Sequence, residues 1–204
     1  MQNVSIKNIS KTYGDKHVLN HVSKEFPVGE TTVIMGASGC GKTTLLRILL
    51  GLEMPDRGEV SGMPEKAAVL FQEDRLCVDV SAYENIALVL ERKTTRAQKE
   101  AQKHIIQQEA AQVGITVEDL KQNVMELSGG MRRRIALLRA LLYDADCVIL
   151  DEPFKGLDAA TKQNVMQYVK AKTTGRTTFL VTHDAAEADF FGRNIWKLTQ
   201  ANEK

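Results

Sequence analysis

Apolar and polar side chains alternate along residues 4–10 (VSIKNIS) and, more loosely, along residues 17–26. With Tyr13-Gly14-Asp15-Lys16 as a turn between them, the pattern predicts an antiparallel hairpin. Thr31–Met35 (TTVIM) is β-branched and short enough for a buried strand, and residues 44–50 (TLLRILL) have the leucine density of a helix. A turn at Met54-Pro55-Asp56-Arg57-Gly58 leads to short strands at 59–61 and 67–71, split by Gly62-Met63-Pro64. From Ser81 the texture becomes helical. Residues 81–90 open on Ser81 as N-cap, residues 95–113 form a Gln-, Ala-, Lys- and Glu-rich helix, and residues 117–127 complete a mostly helical insert. Few apolar residues face inward between 92 and 112, so that helix is expected on the surface.

Residues 132–142 (RRRIALLRALL) predict an amphipathic helix with Ile135, Leu138 and Leu142 on one side. Residues 147–150 (CVIL) are a continuous apolar run, the mark of a central parallel strand. A helix over 159–172, with Asp158 as N-cap and Gly175 near its end, precedes another buried-type strand at 177–182 (TTFLVT). A last short strand at 193–198, containing Trp196, leaves a polar tail. No internal repeat or low-complexity tract is present.

The stretch Met35-Gly36-Ala37-Ser38-Gly39-Cys40-Gly41-Lys42-Thr43-Thr44 lies between the predicted strand and helix and reads as a phosphate-binding loop. Its glycines let the backbone turn tightly, so that N–H groups and a helix N-terminus converge on an anion. Lys42 can then reach the β- and γ-phosphates, and the Thr43 hydroxyl can ligate Mg²⁺.

Composition sets the class of partner. The 204 residues carry 27 basic and 26 acidic side chains, a formal charge of +1, so no global field favours nucleic acid or an anionic bilayer. Cys40, Cys77 and Cys147 are odd in number, far apart and without a CxxC pair, which argues against disulfides or zinc and fits a reducing cytosol. No apolar run is long enough to span a membrane, so a role at one needs a partner embedded in it.

Five further sites invite chemistry, each with a plainer alternative. Tyr13 can stack on a planar base or simply occupy a turn. Gln72 ends a buried strand, where ligands bind in open α/β sheets, or opens an ordinary loop. Leu127-Ser128-Gly129-Gly130-Met131 is either a second anion-binding helix start or a well-capped helix whose arginines form a solvated face. Asp151-Glu152 at a strand end suits Mg²⁺ binding and water activation or is a plain strand-to-loop acidic pair, and His183 ends a third strand close by, within reach of a γ-phosphate or simply structural. A second anion site in one chain suggests that it serves a nucleotide held by another copy.

Taken in order, GASGCGKT, Gln72, LSGGM, CVILDEP, Gly156-Leu157-Asp158 and His183 resemble the ATPase subunit of an ABC transporter over nearly the whole chain. The resemblance implies an α/β fold: a P-loop NTPase (RecA-like) core, an antiparallel β subdomain, and an inserted α-helical subdomain at about 72–127, within a single domain spanning 1–204. It implies ATP and Mg²⁺ as ligands and head-to-tail pairing with a second copy or a related subunit. Tyr13 would stack on adenine, and Gly36, Ala37, Ser38, Gly39, Cys40, Gly41, Lys42, Thr43 and Thr44 would wrap the phosphates. Gln72 would sense Mg²⁺ and the attacking water, Asp151 would organise the metal, Glu152 would be the general base, and His183 would touch the γ-phosphate. Ser128, Gly129 and Gly130 would reach the other subunit's nucleotide, and Asp158 would link the two sites.

One position departs from the family pattern: Met131 stands where LSGGQ carries glutamine, and a thioether cannot donate an amide hydrogen bond. The LSGGM-RRR and LDEPF forms resemble importers of the nitrate, sulfonate and taurine group. Such a subunit would work at the cytoplasmic face of the membrane with separate permease subunits and an external solute-binding protein. The permease contact is expected around residues 73–87, where Glu73-Asp74-Arg75-Leu76 offers charges and an apolar anchor. Two competing readings are a soluble ABC ATPase acting on nucleic acid or ribosomes and a P-loop kinase for a small metabolite. The first lacks its usual second cassette or coiled-coil insertion and any basic stripe; the second would leave LSGG incidental.

Overall fold

In a computed structural model of the chain, residues 2–199 are described, and they fall into two compact units. The polar tail beyond Thr199 lies outside the described residues.

The first unit comprises residues 2–67, 145–152 and 173–199. Its hairpin closes at the predicted turn, with the first strand running on to it: β1 (Val4–Tyr13) pairs with β2 (Lys16–Phe26) up to Tyr13 opposite Lys16. Only Gly14 and Asp15 remain for the turn, with Gly14 at φ 57°, as two-residue hairpin turns require. Tyr13 ends β1 and, with Lys16, forms the outer pair of the expected four-residue turn. After β3 (Thr31–Met35) and α1 (Lys42–Leu49), β4 (Arg57–Ser61) pairs with the free side of β1, giving an antiparallel sheet ordered β2-β1-β4.

The same unit holds a parallel sheet in which β6 (Cys147–Asp151), β7 (Thr177–Val181), β3 and β8 (Asn194–Lys197) lie in that order. Every residue of β6 and β7 is buried, as their unbroken apolar and β-branched sequences require of strands covered on both faces. Strand order brings the carboxyl ends of β6, β7 and β3 side by side, the edge at which open α/β sheets bind ligands. The Phe26 ring packs edge-on against Phe179 and Trp196, with centroids 5.0 and 5.5 Å apart. A helix that the hydrophobic pattern does not reveal, α7 (Ala185–Phe191), comes after β7; Asp184 caps it by accepting from the N–H groups of Ala186 and Glu187.

The second unit comprises Ala68–Asp144 and Pro153–Lys172. It takes most of β5 (Ala67–Leu70), then α2 (Ala82–Ala87), α3 (Arg96–Gln112), α4 (Val117–Lys121), α5 (Gly129–Leu142) and α6 (Ala159–Thr173). Helix α2 is shorter than expected, though Ser81 and Glu84 form the capping box that starts it. The helix expected over 117–127 breaks, because Gln122 and Asn123 are extended and Asn123 donates to the Val78 carbonyl. The chain then makes a single 3₁₀ turn, Val124–Glu126, before reaching α5.

Helix α3 buries only Ile106 and Ala110 along its length, as its polar sequence predicts. It is joined to α6 by polar groups: Glu109 accepts from the Tyr168 hydroxyl at 2.7 Å and from Lys172 Nζ at 2.6 Å. Burial and the adjacent Glu109 carboxylate push the Tyr168 phenol upward from its ordinary value.

Candidate functional site

In the first unit the loop between β3 and α1 is shaped by close approach at two glycines. Gly41 has φ 103°, and a Cβ there would lie 2.9 Å from the Val18 carbonyl oxygen. A Cβ on Gly36 would lie 2.5 Å from the Leu198 carbonyl oxygen and 2.6 Å from Cys40 Sγ. Strand β2 and the residues after β8 thus press on the loop from two directions, and only glycine fits at either contact. Helix α1 begins at Lys42 with no side-chain cap among the described residues, leaving its first N–H groups open to an anion. Lys42 Nζ donates to the carbonyls of Gly36 and Ala37, both at 2.8 Å, which holds the ammonium at the mouth of the loop. Ser38 and Gly39 are exposed at its tip, Cys40 is buried and Thr44 is half-buried.

Asp151, the last residue of β6, is 5 % exposed. Thr43 Oγ1 donates to its Oδ2 at 3.3 Å. A hydroxyl and a carboxylate converging beside a phosphate-binding loop form the hard oxygen set that Mg²⁺ takes together with substrate phosphates. Glu152 keeps its main chain in register, donating to the Val181 carbonyl at 2.9 Å, but adopts φ 49°. A left-handed non-glycine residue is strained, and its side chain is turned away from the path a regular strand would give it. Glu152 Oε1 lies 3.4 Å from His183 Nδ1, in the segment after β7. Lys42, Thr43, Asp151, Glu152 and His183 are therefore gathered at the ends of three neighbouring parallel strands, as their positions in the sequence predict. Tyr13, 45 % exposed, sits on the hairpin with the Lys11 ammonium 5.4 Å from its ring centre.

The second unit holds the remaining positions. Ser128 is the N-cap of α5, its Oγ accepting from the Met131 N–H at 3.2 Å, so the helix starts three residues before the amphipathic stretch expected from residue 132. Met131 enters this cap through its backbone alone. At Gly130 a Cβ would come within 3.3 Å of the Gly156 carbonyl oxygen, so LSGGM and Gly156-Leu157-Asp158 lie against each other. Asp158 accepts from the Thr161 N–H at 3.0 Å and caps α6; that backbone bond, with help from the Thr161 hydroxyl, draws its carboxyl below the usual value.

Gln72 has an exposed side chain, whereas its backbone is held firmly. Arg133 Nη1 donates to the carbonyls of Phe71 at 2.7 Å and Gln72 at 3.3 Å, and to Asp74 Oδ1 at 3.0 Å. Arg139 Nη2 donates to the carbonyls of Asp74 and Arg75 at 3.0 and 2.9 Å. A fully solvated arginine face on α5 is thus overturned: Arg133 is 4 % exposed, and burial lowers the Arg139 guanidinium from its ordinary value. The sequence does carry a trace of this, since Arg139 interrupts an apolar run whose flanking leucines, Leu138 and Leu141, are themselves buried.

No helix among the described residues is long and apolar enough to cross a membrane. The chain matches the ABC transporter family over residues 19–155. It is 39 % identical over 189 residues to the aliphatic sulfonates import ATP-binding protein SsuB 3 of Paraburkholderia xenovorans (strain LB400), covering 91 % of this chain and 72 % of that one. It is 38 % identical over 188 residues to the taurine import ATP-binding protein TauB of Pseudomonas aeruginosa (strain UCBPP-PA14), covering 87 % and 70 %. Its fold superposes on the dimeric structure of MJ0796, a bacterial ABC transporter cassette, with TM-score 0.84 and 29 % identity over 96 % of this chain and 94 % of that one. A post-hydrolysis dimeric state of the same cassette, bound to ADP and Pi, matches with TM-score 0.84 and 28 % identity over 98 % and 97 %. These likenesses favour neither the metabolite-kinase nor the nucleic-acid reading. The family match over residues 19–155 and the likeness to these ATP-binding proteins and to the ADP- and Pi-bound cassette place the chain in the ABC transporter family, as an ATP-binding subunit that hydrolyses ATP.

Proposed function

We propose that two copies of this chain close head to tail on two ATP molecules and that the cycle of closure and hydrolysis drives solute import through separate permease subunits. The observation that carries this reading is the gathering of Lys42, Thr43, Asp151, Glu152 and His183 at one sheet edge, 3.4 Å separating the glutamate from the histidine. Gly36 to Thr44 wrap the phosphates, and Lys42 exchanges loop carbonyls for phosphate oxygens. Thr43 and Asp151 would hold Mg²⁺, with Gln72 assigned to it by the family resemblance alone, and the ion would supply neutralising charge to the β- and γ-phosphates. Glu152 takes a proton from the attacking water as its oxygen bonds to the γ-phosphorus and the bond to ADP breaks. His183 orients Glu152 and contacts the γ-phosphate, Tyr13 stacks on adenine, and catalysis is chiefly positioning and charge stabilisation.

Ser128, Gly129 and Gly130 complete the partner's site: while Ser128 Oγ accepts from Met131, its own proton remains available to a phosphate oxygen. The contact between Gly130 and Gly156 supports Asp158 acting with the LSGGM tip at the same facing surface. The two units then work as one cassette domain, with the helical part inserted. Resemblance to the sulfonate and taurine import proteins supports an importer served by an external solute-binding protein, with this subunit at the cytoplasmic membrane face. The permease is received around residues 73–87, where Val78 is 50 % exposed.

The test is Glu152→Gln. With ATP and Mg²⁺ it accumulates a dimer on gel filtration that ADP does not support; a chain that stays monomeric at saturating ATP refutes pairing. Val78→Glu lowers vesicle transport with its permease while basal ATPase stays within about twofold, since surface changes cost little stability. Unchanged transport would move the docking surface elsewhere.

A further inference from the structure

Arg133 and Arg139 on α5 grip one short turn from two points along the helix. Between them they donate to four backbone carbonyls, those of Phe71, Gln72, Asp74 and Arg75, and to the Asp74 carboxylate. The turn is shaped to receive them: Arg75 adopts φ 47°, and its guanidinium lies 3.9 Å from the centre of the Phe71 ring. The same helix carries Ser128 at its N-cap.

We propose that Arg133 is a positioning residue for ATP hydrolysis, tying the placement of Gln72 to the helix that presents Ser128. The inference rests on the assignment of Gln72 to the site given above. A guanidinium with 5 % side-chain exposure has given up most of its hydration, and its ion pair with Asp74 and its carbonyl bonds offset that cost. Apolar residues of similar volume often replace such buried pairs without loss of stability, so packing alone does not call for an arginine. What the arginine adds is direction. Its bonds fix the Phe71 and Gln72 carbonyls, and the exposed Gln72 side chain inherits its starting point from them. Ser128 and Arg133 share one helix, so a displacement of Ser128 is passed to the Gln72 carbonyl through the arginine.

A double-mutant cycle on the whole chain tests this. Arg133→Met is expected to lower kcat on the order of tenfold, the scale of a misplacement under an ångström, with KM and the Kd for ATP within about twofold. In a Gln72→Ala background the same change is expected to cause no further loss, because the group it positions is gone. Asp74→Asn retains the arginine and weakens its anchor, so a smaller fall of roughly threefold, again absent beside Gln72→Ala, is expected from the loss of one charge-assisted bond. This milder variant decides the matter if Arg133→Met does not fold. Equal losses in both backgrounds, or unchanged kcat in Arg133→Met, overturn the inference while leaving Gln72 in the site. Unchanged kcat in Gln72→Ala removes the underlying assignment and the inference with it.

Discussion

His183 Nδ1 lies 3.4 Å from Glu152 Oε1, the histidine 71 % exposed and the glutamate 18 %. The pair brings together the residues that follow two neighbouring strands, β6 and β7. Glu152→Gln is expected to lower kcat by about 10²- to 10⁴-fold, the usual worth of a positioned base, with ATP affinity retained. His183→Ala is expected to lower kcat by about tenfold or more through misplacement of Glu152. Single-turnover kinetics with separately measured ATP binding checks both, and a His183→Ala enzyme of full rate would break the link between the two side chains.

Lys42→Ala removes a cation held by two loop carbonyls at the mouth of the phosphate loop. Loss of a charge-assisted bond to phosphate weakens ATP binding by about 1.5–3 kcal/mol, roughly 10- to 100-fold in Kd. Titration with a fluorescent ATP analogue measures it. Binding within a factor of two of the parent would mean that the lysine faces something other than phosphate.

Gly41→Ala meets two obstacles, φ 103° and a contact of 2.9 Å from the new Cβ to the Val18 carbonyl oxygen. The expected cost is about 2–3 kcal/mol, seen in urea denaturation, together with loss of nucleotide binding as α1 and the loop shift. Gly39→Ala, where a Cβ would meet nothing within 4 Å, keeps the backbone strain of φ 79° alone and should cost less. Equal effects would show that close packing beneath the loop is irrelevant.

Burial pushes the Cys147 thiol up from 9.0 to about 12, partly countered by the nearby Arg176. Between those pH values the unfolded chain has released this proton and the folded chain keeps it. Stability therefore falls as pH rises, by about 1.4 kcal/mol per unit, and is unaffected by this group at neutral pH. Denaturation midpoints from pH 8 to 10.5 should fall less steeply in Cys147→Ala; parallel slopes would refute the assignment. The exposed Cys77 should be alkylated well before Cys40 or Cys147 in the native protein.

Sequence carries the order of the site residues because each sits where a β-rich run stops, and strand ends are visible in a hydrophobic pattern. Asp151, Glu152 and His183 are of this kind. The pairing of Glu152 with His183 is not legible there, since it depends on strand order and on a left-handed φ that no propensity predicts at glutamate. Arg133 misleads for a related reason: a charged residue beside an anion-binding motif looks solvated until the carbonyls that surround it are known. The turn at Tyr13-Gly14-Asp15-Lys16 is legible because glycine and aspartate interrupt two alternating runs. Helix α7 escapes the pattern because its seven residues make barely two turns, too few for a period to register.

The chain has one tryptophan, and Trp196 sits in β8 opposite Ile34, half-buried against Phe26. Two residues on, Leu198 backs the phosphate loop at Gly36. Through this contact the indole's emission is expected to change in colour or intensity on mixing with ATP. Such a change would make Trp196 a label-free optical reporter, with stopped-flow fluorescence timing the cycle without chemical modification.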